Sequence, residues 1–220
     1  MRILAIADET DRSLTVDRLR EIGPDVILSC GDLGFDYLDY VSSAANASLV
    51  YVPGNHDPEV GKPDPAPMAG LMRFEDVWGG GSGGSEEPTQ PSGINADRRI
   101  VTVKGLTVAG LGGSIKYREG PNQYTDKQMA ARVRRLRLDA RLYRKSVDIL
   151  ITHSPPQGIG DEGDGPHRGF ASFVPLIEAL QPPLMLHGHV HPHGFVKPDR
   201  QLGGTRIVNV IPHKILEIDL

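Results

Sequence analysis

Short hydrophobic runs alternate with amphipathic stretches along the first quarter of the chain. The runs are Ile3–Ala7, Val26–Ser29 and Leu49–Val52. Their uniform hydrophobicity is typical of strands that are buried on both faces of a parallel sheet. Apolar residues recur at helical spacing between Leu14 and Ile22, and Phe35–Ala45 can form a second helix. The pattern predicts alternating strands and helices, as in an α/β fold.

The second half of the chain continues the alternation after a hairpin. The predicted elements are strands Arg99–Val103 and Leu106–Leu111, helix Thr125–Lys145, strand Val147–Thr152, helix Phe170–Leu180, and strands Leu184–Leu186, Thr205–Val210 and Ile215–Leu220. Between the halves, Pro58–Asp97 holds six prolines and eight glycines. We therefore expect a single domain over residues 1–220 with a long loop insertion at about 58–97.

Composition narrows the class of protein. The net charge is −4, from 24 basic and 28 acidic residues, so the bulk charge argues against nucleic acid as a partner. Cys30 is the one cysteine, which excludes an intrachain disulfide and favours a reducing, cytoplasmic setting. No apolar run approaches the length of a membrane span, so we expect no membrane association.

Polar residues with metal-binding side chains follow five of the predicted strands. They are Asp8, Asp32, Asn55 with His56, His153, and His189 with His191. The carboxyl ends of parallel strands share one edge of a sheet, where ligands bind in α/β proteins. Carboxylate, amide oxygen and imidazole together suit Mn²⁺, Fe²⁺, Zn²⁺ or Ni²⁺. The pattern predicts a metal site at this edge.

These blocks resemble the signature of the calcineurin-like metallophosphoesterases, which reads D-x-H, G-D, G-N-H-[DE], H and G-H-x-H. The matching stretches, in the same order, are Asp8-Glu9-Thr10, Gly31-Asp32, Gly54-Asn55-His56-Asp57, His153, and Gly188-His189-Val190-His191. A single such block would be weak evidence, but four complete blocks and one partial block in order at strand ends are specific. The resemblance implies a four-layer α/β/β/α sandwich of two mixed sheets.

The resemblance also implies roles for these residues. It implies a first ion on Asp8 and His191, a second ion on Asn55, His153 and His189, and Asp32 as a bridge between the two. His56 would act on the substrate, as a proton donor to the leaving oxygen or as a ligand of the phosphoryl oxygens. The implied reaction is hydrolysis of a phosphomonoester or phosphodiester by a hydroxide that bridges two divalent ions, with Mn²⁺ preferred.

One block departs from the family pattern at Thr10, where the signature has histidine. A hydroxyl is a poor replacement for an imidazole, so we expect the first ion to bind more weakly than the second. Glu9 would point away from the site if the strand stayed extended there. The departure leaves a second hypothesis open, that of a one-metal binding or scaffold protein with little turnover.

Further residues are candidates for substrate contact. His167 and Arg168 precede the helix predicted over Phe170–Leu180, and a guanidinium beside a helix start suits an anion. The stretch Asn122-Gln123-Tyr124, which follows Gly120-Pro121, is a similar candidate for the rim of a pocket. A small phosphoester is the expected substrate. Neither its identity nor the oligomeric state follows from the sequence.

Overall fold

Two mixed β-sheets position the strand ends that carry the candidate ligands. The structure is a computed structural model, and it describes residues 1–58, 90–143, 146–163, 165–192, 194 and 197–219. Four helices accompany the sheets within these residues. Most of the predicted loop insertion, residues 59–89, lies outside the described part of the chain.

The first sheet is built from the N-terminal strands and the last strand. Its members are β1 (Arg2–Ile6), β2 (Val26–Ser29), β3 (Ser48–Tyr51), β4 (Ile94–Asn95) and β13 (His213–Glu217), in the order β13-β1-β2-β3-β4. β13 is antiparallel to β1, and the other pairs are parallel. Helices α1 (Val16–Ile22) and α2 (Phe35–Ala45) connect the parallel strands. Thr15 caps α1 by accepting a hydrogen bond from the Arg18 amide, and Gly23 ends it with φ 55°.

The second sheet contains six strands. They are β5 (Arg99–Val103), β6 (Leu106–Leu111), β9 (Ile149–Thr152), β10 (Leu184–His187), β11 (Arg200–Leu202) and β12 (Thr205–Asn209), in the order β11-β12-β10-β9-β6-β5. The central strands β6, β9, β10 and β12 are parallel. Helices α3 (Asp126–Tyr143) and α4 (Phe173–Leu180) accompany this sheet, and β7 (Ser114–Ile115) pairs with β8 (Gln123–Tyr124) as a separate ribbon.

Three apolar clusters join these elements into layers. One lies between the sheets and includes Ala5, Leu28, Ile151 and Leu186. A second joins the second sheet to α3 and α4, and a third joins the first sheet to α1 and α2. Successive residues of a strand face opposite sides, so both faces of each sheet are buried and the strands read as continuous apolar runs. The clusters agree with the order of layers in an α/β/β/α sandwich.

The structure confirms the predicted α/β class with two mixed sheets and corrects several bounds. Ile94–Asn95 forms β4 beside β3, although the sequence placed it inside the loop. The last strand is His213–Glu217 rather than Ile215–Leu220, because its register is set by pairing with β1. Helix α4 starts at Phe173 rather than Phe170, whose amide instead pairs with the Pro155 carbonyl. No helix of the described residues is both long and apolar enough to cross a bilayer.

Candidate metal centre

Three candidate ligands adopt left-handed backbone conformations directly after their strands. Asp8 follows β1 with φ 61°, Asp32 lies beyond β2 with φ 56°, and His189 lies beyond β10 with φ 66°. This region costs a non-glycine residue on the order of 1 kcal/mol. Strain of this kind clusters at functional sites, because the surrounding fold holds the side chains in place. The shared conformation brings the three residues out of their strands by sharp turns.

The glycines of the sequence motifs give the carboxylates room. A Cβ added to Gly54 would overlap the Asp32 carboxylate, and one added to Gly188 would overlap the Asp8 carboxylate. Gly31, with φ 95°, lies against the backbone of Gly54. Asp57 then fixes this turn, because its Oδ2 accepts hydrogen bonds from the amides of Asp32 at 2.9 Å and Gly54 at 2.7 Å. The glycines at these motif positions therefore have a steric reason, because a side chain there would collide with a carboxylate or with the neighbouring backbone.

Asp32, His153 and His189 form a group of three potential metal ligands in the described part of the chain. One ligand atom from each lies within 4.8 Å of the others. His153 Nε2 is 3.3 Å from Asp32 Oδ2 and 3.0 Å from the Asn55 side-chain oxygen. The other ring nitrogen, Nδ1, is 2.8 Å from the Cys30 carbonyl oxygen. A carbonyl only accepts, so Nδ1 carries a proton and Nε2 faces the oxygen ligands.

His189 is oriented by a backbone carbonyl as well, but through the opposite ring nitrogen. Its Nε2 is 2.8 Å from the Pro166 carbonyl oxygen, so this nitrogen donates and Nδ1 is the ligand atom. The ring lies 4.7 Å from the His153 ring. Burial lowers the pKa of His189 to about 3, so the imidazole is neutral and offers a lone pair. A hydrogen bond to a backbone carbonyl is the usual way in which a protein orients a metal-binding histidine.

The electrostatics of the group favour a cation. Burial would lower the pKa of His153, but Asp32 and Asp8 outweigh it and raise the pKa to about 9. Burial would raise the pKa of Asp32, but His153 outweighs it and the pKa falls to about 2. Burial raises the pKa of Asp8, whose side chain is 3% exposed, to about 6. The buried carboxylates of Asp8 and Asp32 are stabilised by a nearby positive charge. Together with the imidazoles they form a donor set that fits a divalent ion.

The predicted first site contains Asp8, His191 and an additional carboxylate. The Asp8 oxygens accept from the His189 amide at 3.1 and 3.0 Å, and His191 Nε2 lies 3.8 Å from Asp8 Oδ1. Glu9 Oε1 is 2.9 Å from His191 Nδ1. The condition under which Glu9 would point away does not hold, because Asp8 is left-handed and the chain is not extended there. Thr10 is exposed.

The loop between β7 and β8 forms a wall against the Asn55-His56-Asp57 stretch. Asn55 Nδ2 donates to the Tyr117 hydroxyl at 3.3 Å, and Asn122 Nδ2 donates to the Asp57 carbonyl at 3.1 Å. Between them, Arg118 Nη2 lies 3.4 Å from His56 Nδ1. The His56 amide donates to Asp32 Oδ1 at 2.7 Å, so the wall and the ligand group are directly connected.

Sequence reasoning missed Arg118 and Tyr117. They lie in a loop between β7 and β8 with no motif around them, and only the fold brings them beside His56. The sequence pointed only to the neighbouring stretch Asn122-Gln123-Tyr124, whose last two residues form β8. A guanidinium next to the proposed proton donor is suited to an anionic substrate.

The two residues suggested for substrate contact are placed differently from each other. The His167 ring centroid is 5.5 Å from that of His189, which puts it beside the ligand group. Arg168 Nη2 donates to Asp126 Oδ2 at 2.8 Å, and both side chains are partly exposed. Arg168 therefore ties the 155–170 loop to the start of α3.

Comparisons with known proteins agree with this geometry. The family model described as calcineurin-like phosphoesterase matches residues 1–193. No curated protein sequence is similar enough to the chain to count as a relative. Among solved structures, TT1561 of Thermus thermophilus is 19% identical with a TM-score of 0.57, over 94% of this chain and 88% of that chain.

A more distant similarity is to GAP50, described as the anchor in the inner membrane complex of Plasmodium. It is 13% identical with a TM-score of 0.50, over 95% of this chain and 70% of that chain. At these identities the two structures support the fold alone. The family match over most of the chain, with its motif residues gathered where strand ends of the two sheets meet, shows that the chain belongs to the calcineurin-like phosphoesterase family.

Proposed function

We propose that this protein hydrolyses a phosphomonoester or phosphodiester in a metal-dependent reaction. The observation that carries the proposal is the convergence of Asp32, His153 and His189, whose ligand atoms lie within 4.8 Å of one another. Both histidines are oriented by backbone carbonyls. When bound, divalent ions would supply Lewis acidity and an activated water. Mn²⁺ is the first candidate, because the donors are oxygen and imidazole nitrogen without thiolate.

Asp32 would be shared by two ions in this proposal. Its Oδ2 faces His153 and its Oδ1 accepts from the His56 amide, so the carboxylate lies between His153 and the backbone of His56. Asp8 and His191 would hold the first ion, and Asn55 would complete the second. Asn55 is 1% exposed, and its side-chain oxygen already lies beside His153. All six metal-binding residues expected from the sequence therefore have a place in the proposal.

His56 and Arg118 would contact the substrate. A guanidinium has no lone pair to offer, so Arg118 Nη2 donates to His56 Nδ1. In neutral His56 the remaining proton is then on Nε2, which can donate a hydrogen bond to a phosphoryl oxygen. Transfer of a proton to the leaving oxygen would need the imidazolium form, in which Nδ1 no longer accepts from Arg118. Arg118 has further N–H groups for phosphoryl oxygens. The two side chains would bind the anion and orient it, and the imidazolium form of His56 would supply the proton from Nε2 to the leaving oxygen.

A second candidate function is a one-metal binding or scaffold role. The specific observation in its favour is Thr10, which leaves the first site without the histidine of the family signature. In that case metal would bind at Asp32, His153 and His189, and turnover would be negligible. Counting the bound ions and measuring turnover on the same protein separates the two candidates.

The experiment uses p-nitrophenyl phosphate and bis-p-nitrophenyl phosphate as monoester and diester probes. We expect the metal-stripped protein to be inactive and Mn²⁺ to restore hydrolysis of at least one probe. Asp32→Asn should abolish this activity, because the variant loses the shared carboxylate. Asp199→Asn is the matched control, since Asp199 is paired with Arg206 on the surface. Tight Mn²⁺ binding without turnover on either probe would favour the scaffold role.

A further inference from the structure

Glu9 and His191 form an ion-pair geometry at the edge of the first site. Glu9 Oε1 lies 2.9 Å from His191 Nδ1, and His191 Nε2 lies 3.8 Å from Asp8 Oδ1. From this we infer that Glu9 is the positioning residue of the first metal site and holds His191 ready for the ion. The inference rests on the proposed function, since it concerns an ion held by Asp8 and His191.

The donor and acceptor roles follow from the carboxylate. An ionised carboxylate only accepts, so the proton between Glu9 and His191 is on Nδ1. The tautomer that results has its lone pair on Nε2, the nitrogen on the Asp8 side of the ring. A carboxylate that accepts from a metal-binding imidazole fixes the ring and raises its basicity, and its loss typically costs about 10–100-fold in metal affinity. Glu9 meets this description through its contact with His191.

The backbone explains why Glu9 reaches His191. Asp8 has φ 61°, and the Glu9 amide donates to the Ala7 carbonyl at 2.6 Å, so the chain turns immediately after β1. An extended strand would alternate its side chains and place Glu9 on the far side from Asp8. The turn instead puts Asp8 and Glu9 on two sides of the His191 ring.

Glu9 therefore compensates in part for Thr10. The site does not gain a ligand by this arrangement, but its remaining histidine no longer has to be ordered when the ion binds. An oriented ring with one fixed tautomer loses less conformational freedom on binding. The first site is then stronger than its residue count suggests.

The test compares Glu9→Ala and Glu9→Gln with wild-type protein. Glu21→Ala is the matched control, because Glu21 is an exposed glutamate paired with Arg18 on α1. Mn²⁺ titration followed by electron paramagnetic resonance gives the number and affinity of bound ions without reference to activity. We expect Glu9→Ala to weaken one of two Mn²⁺ ions about 10–100-fold. The other ion and the control should be unchanged.

Long-range ¹⁵N–¹H spectra of the histidine rings test the tautomer directly in the metal-free protein. We expect His191 to carry its proton on Nδ1 in wild type and to become a tautomer mixture in Glu9→Ala. Glu9→Gln retains an acceptor oxygen and should preserve more of the Nδ1–H form. A His191 tautomer that does not respond to Glu9→Ala would overturn the inference.

A double-mutant cycle separates positioning from direct coordination. If Glu9 acts through His191, adding Glu9→Ala to His191→Ala should cause no further loss of Mn²⁺ affinity. A further loss of about tenfold in the double variant would show that Glu9 acts independently of His191 and overturn the inference. Absence of any bound Mn²⁺ in wild type would instead refute the proposed function, so the two failures can be distinguished.

Discussion

His153 is the residue whose protonation state would govern metal binding at the proposed second site. Its Nε2 faces Asp32 and Asn55, and the carboxylates of Asp32 and Asp8 outweigh burial and raise its pKa to about 9. In the metal-free protein at neutral pH, a proton therefore occupies the nitrogen that an ion needs. Metal binding must displace this proton, so binding and proton release are coupled.

We accordingly expect Mn²⁺ affinity at this site to rise with pH. Between about pH 6.5 and 8.5 the folded, metal-free protein keeps the His153 proton, and affinity should increase about tenfold per pH unit. His189, whose pKa burial lowers to about 3, is neutral throughout this range and adds no slope. Calorimetric titration at three pH values measures the effect.

His213→Gln serves as the control for the pH experiment, since His213 pairs with Asp11 rather than with the metal ligands. This variant should retain the full slope. A Mn²⁺ affinity that is flat across the range would contradict the assignment of the proton to His153. Proton uptake on binding would contradict it as well.

The proposed substrate contacts of His56 and Arg118 give a second prediction for single residues. His56→Ala should lower turnover by about 10²–10⁴-fold, and Arg118→Ala should lower kcat/KM by about 10–100-fold. Both variants should keep their bound metal, because neither side chain is among the proposed ligands. Steady-state kinetics with metal analysis of the same samples checks this. Arg20→Ala is the control, because Arg20 is an exposed arginine of α1. Stoichiometric loss of metal in His56→Ala would refute the role given to His56.

At the scale of elements, the strand-end turns depend on glycine. Gly188→Ala would place a methyl group on the Asp8 carboxylate and against Ala7. We expect a loss of about 1–3 kcal/mol in the free energy of unfolding, together with weaker metal binding. Gly204→Ala is the matched control, because nothing lies within 4 Å of its added Cβ. Chemical denaturation of the two variants makes the comparison, and equal stability would contradict the steric argument.

Helices and strands were predictable where the apolar residues formed a continuous run or recurred at helical spacing. Helix α3 shows this, since Met129, Val133 and Leu136 repeat at helical spacing and are all buried. The position of β4 was not predictable, because two residues beside a glycine- and proline-rich stretch carry no periodicity. Its pairing with β3 supplies the hydrogen bonds that define it as a strand.

Side-chain directions at the site were less predictable than the ligand positions. The motif spacing pointed to Asp8 and His191 as candidate ligands, but the direction of Glu9 depends on the left-handed turn at Asp8, which sequence spacing does not encode. Arg118 is separated from His56 by 62 residues, so their contact arises from the fold alone. Local pattern therefore predicts which residues follow a strand, and tertiary structure decides which way they face.

For the whole molecule, bound metal should stabilise the fold by linkage. Free Mn²⁺ at about a hundredfold excess over Kd adds about 2.7 kcal/mol for one site. In a chain of 220 residues this corresponds to a rise in Tm of about 5–10 °C. Differential scanning calorimetry with and without Mn²⁺ measures the rise. Asp32→Asn should lose it, and an equal rise in that variant would show that Mn²⁺ acts elsewhere.

The left-handed conformations of Asp8, Asp32 and His189 have a consequence for how this fold can change. Asp8 combines strained backbone with a pKa that burial raises to about 6, so its charge opposes folding when no ion is present. Asn tolerates the same backbone region without the charge. We expect Asp8→Asn to melt at a higher temperature than wild type in chelator while its metal affinity falls. Replacement of Asp8 by Asn is then favourable for folding. A descendant that is no longer selected for catalysis could therefore lose this ligand and become inactive and more stable, without passing through a less stable intermediate.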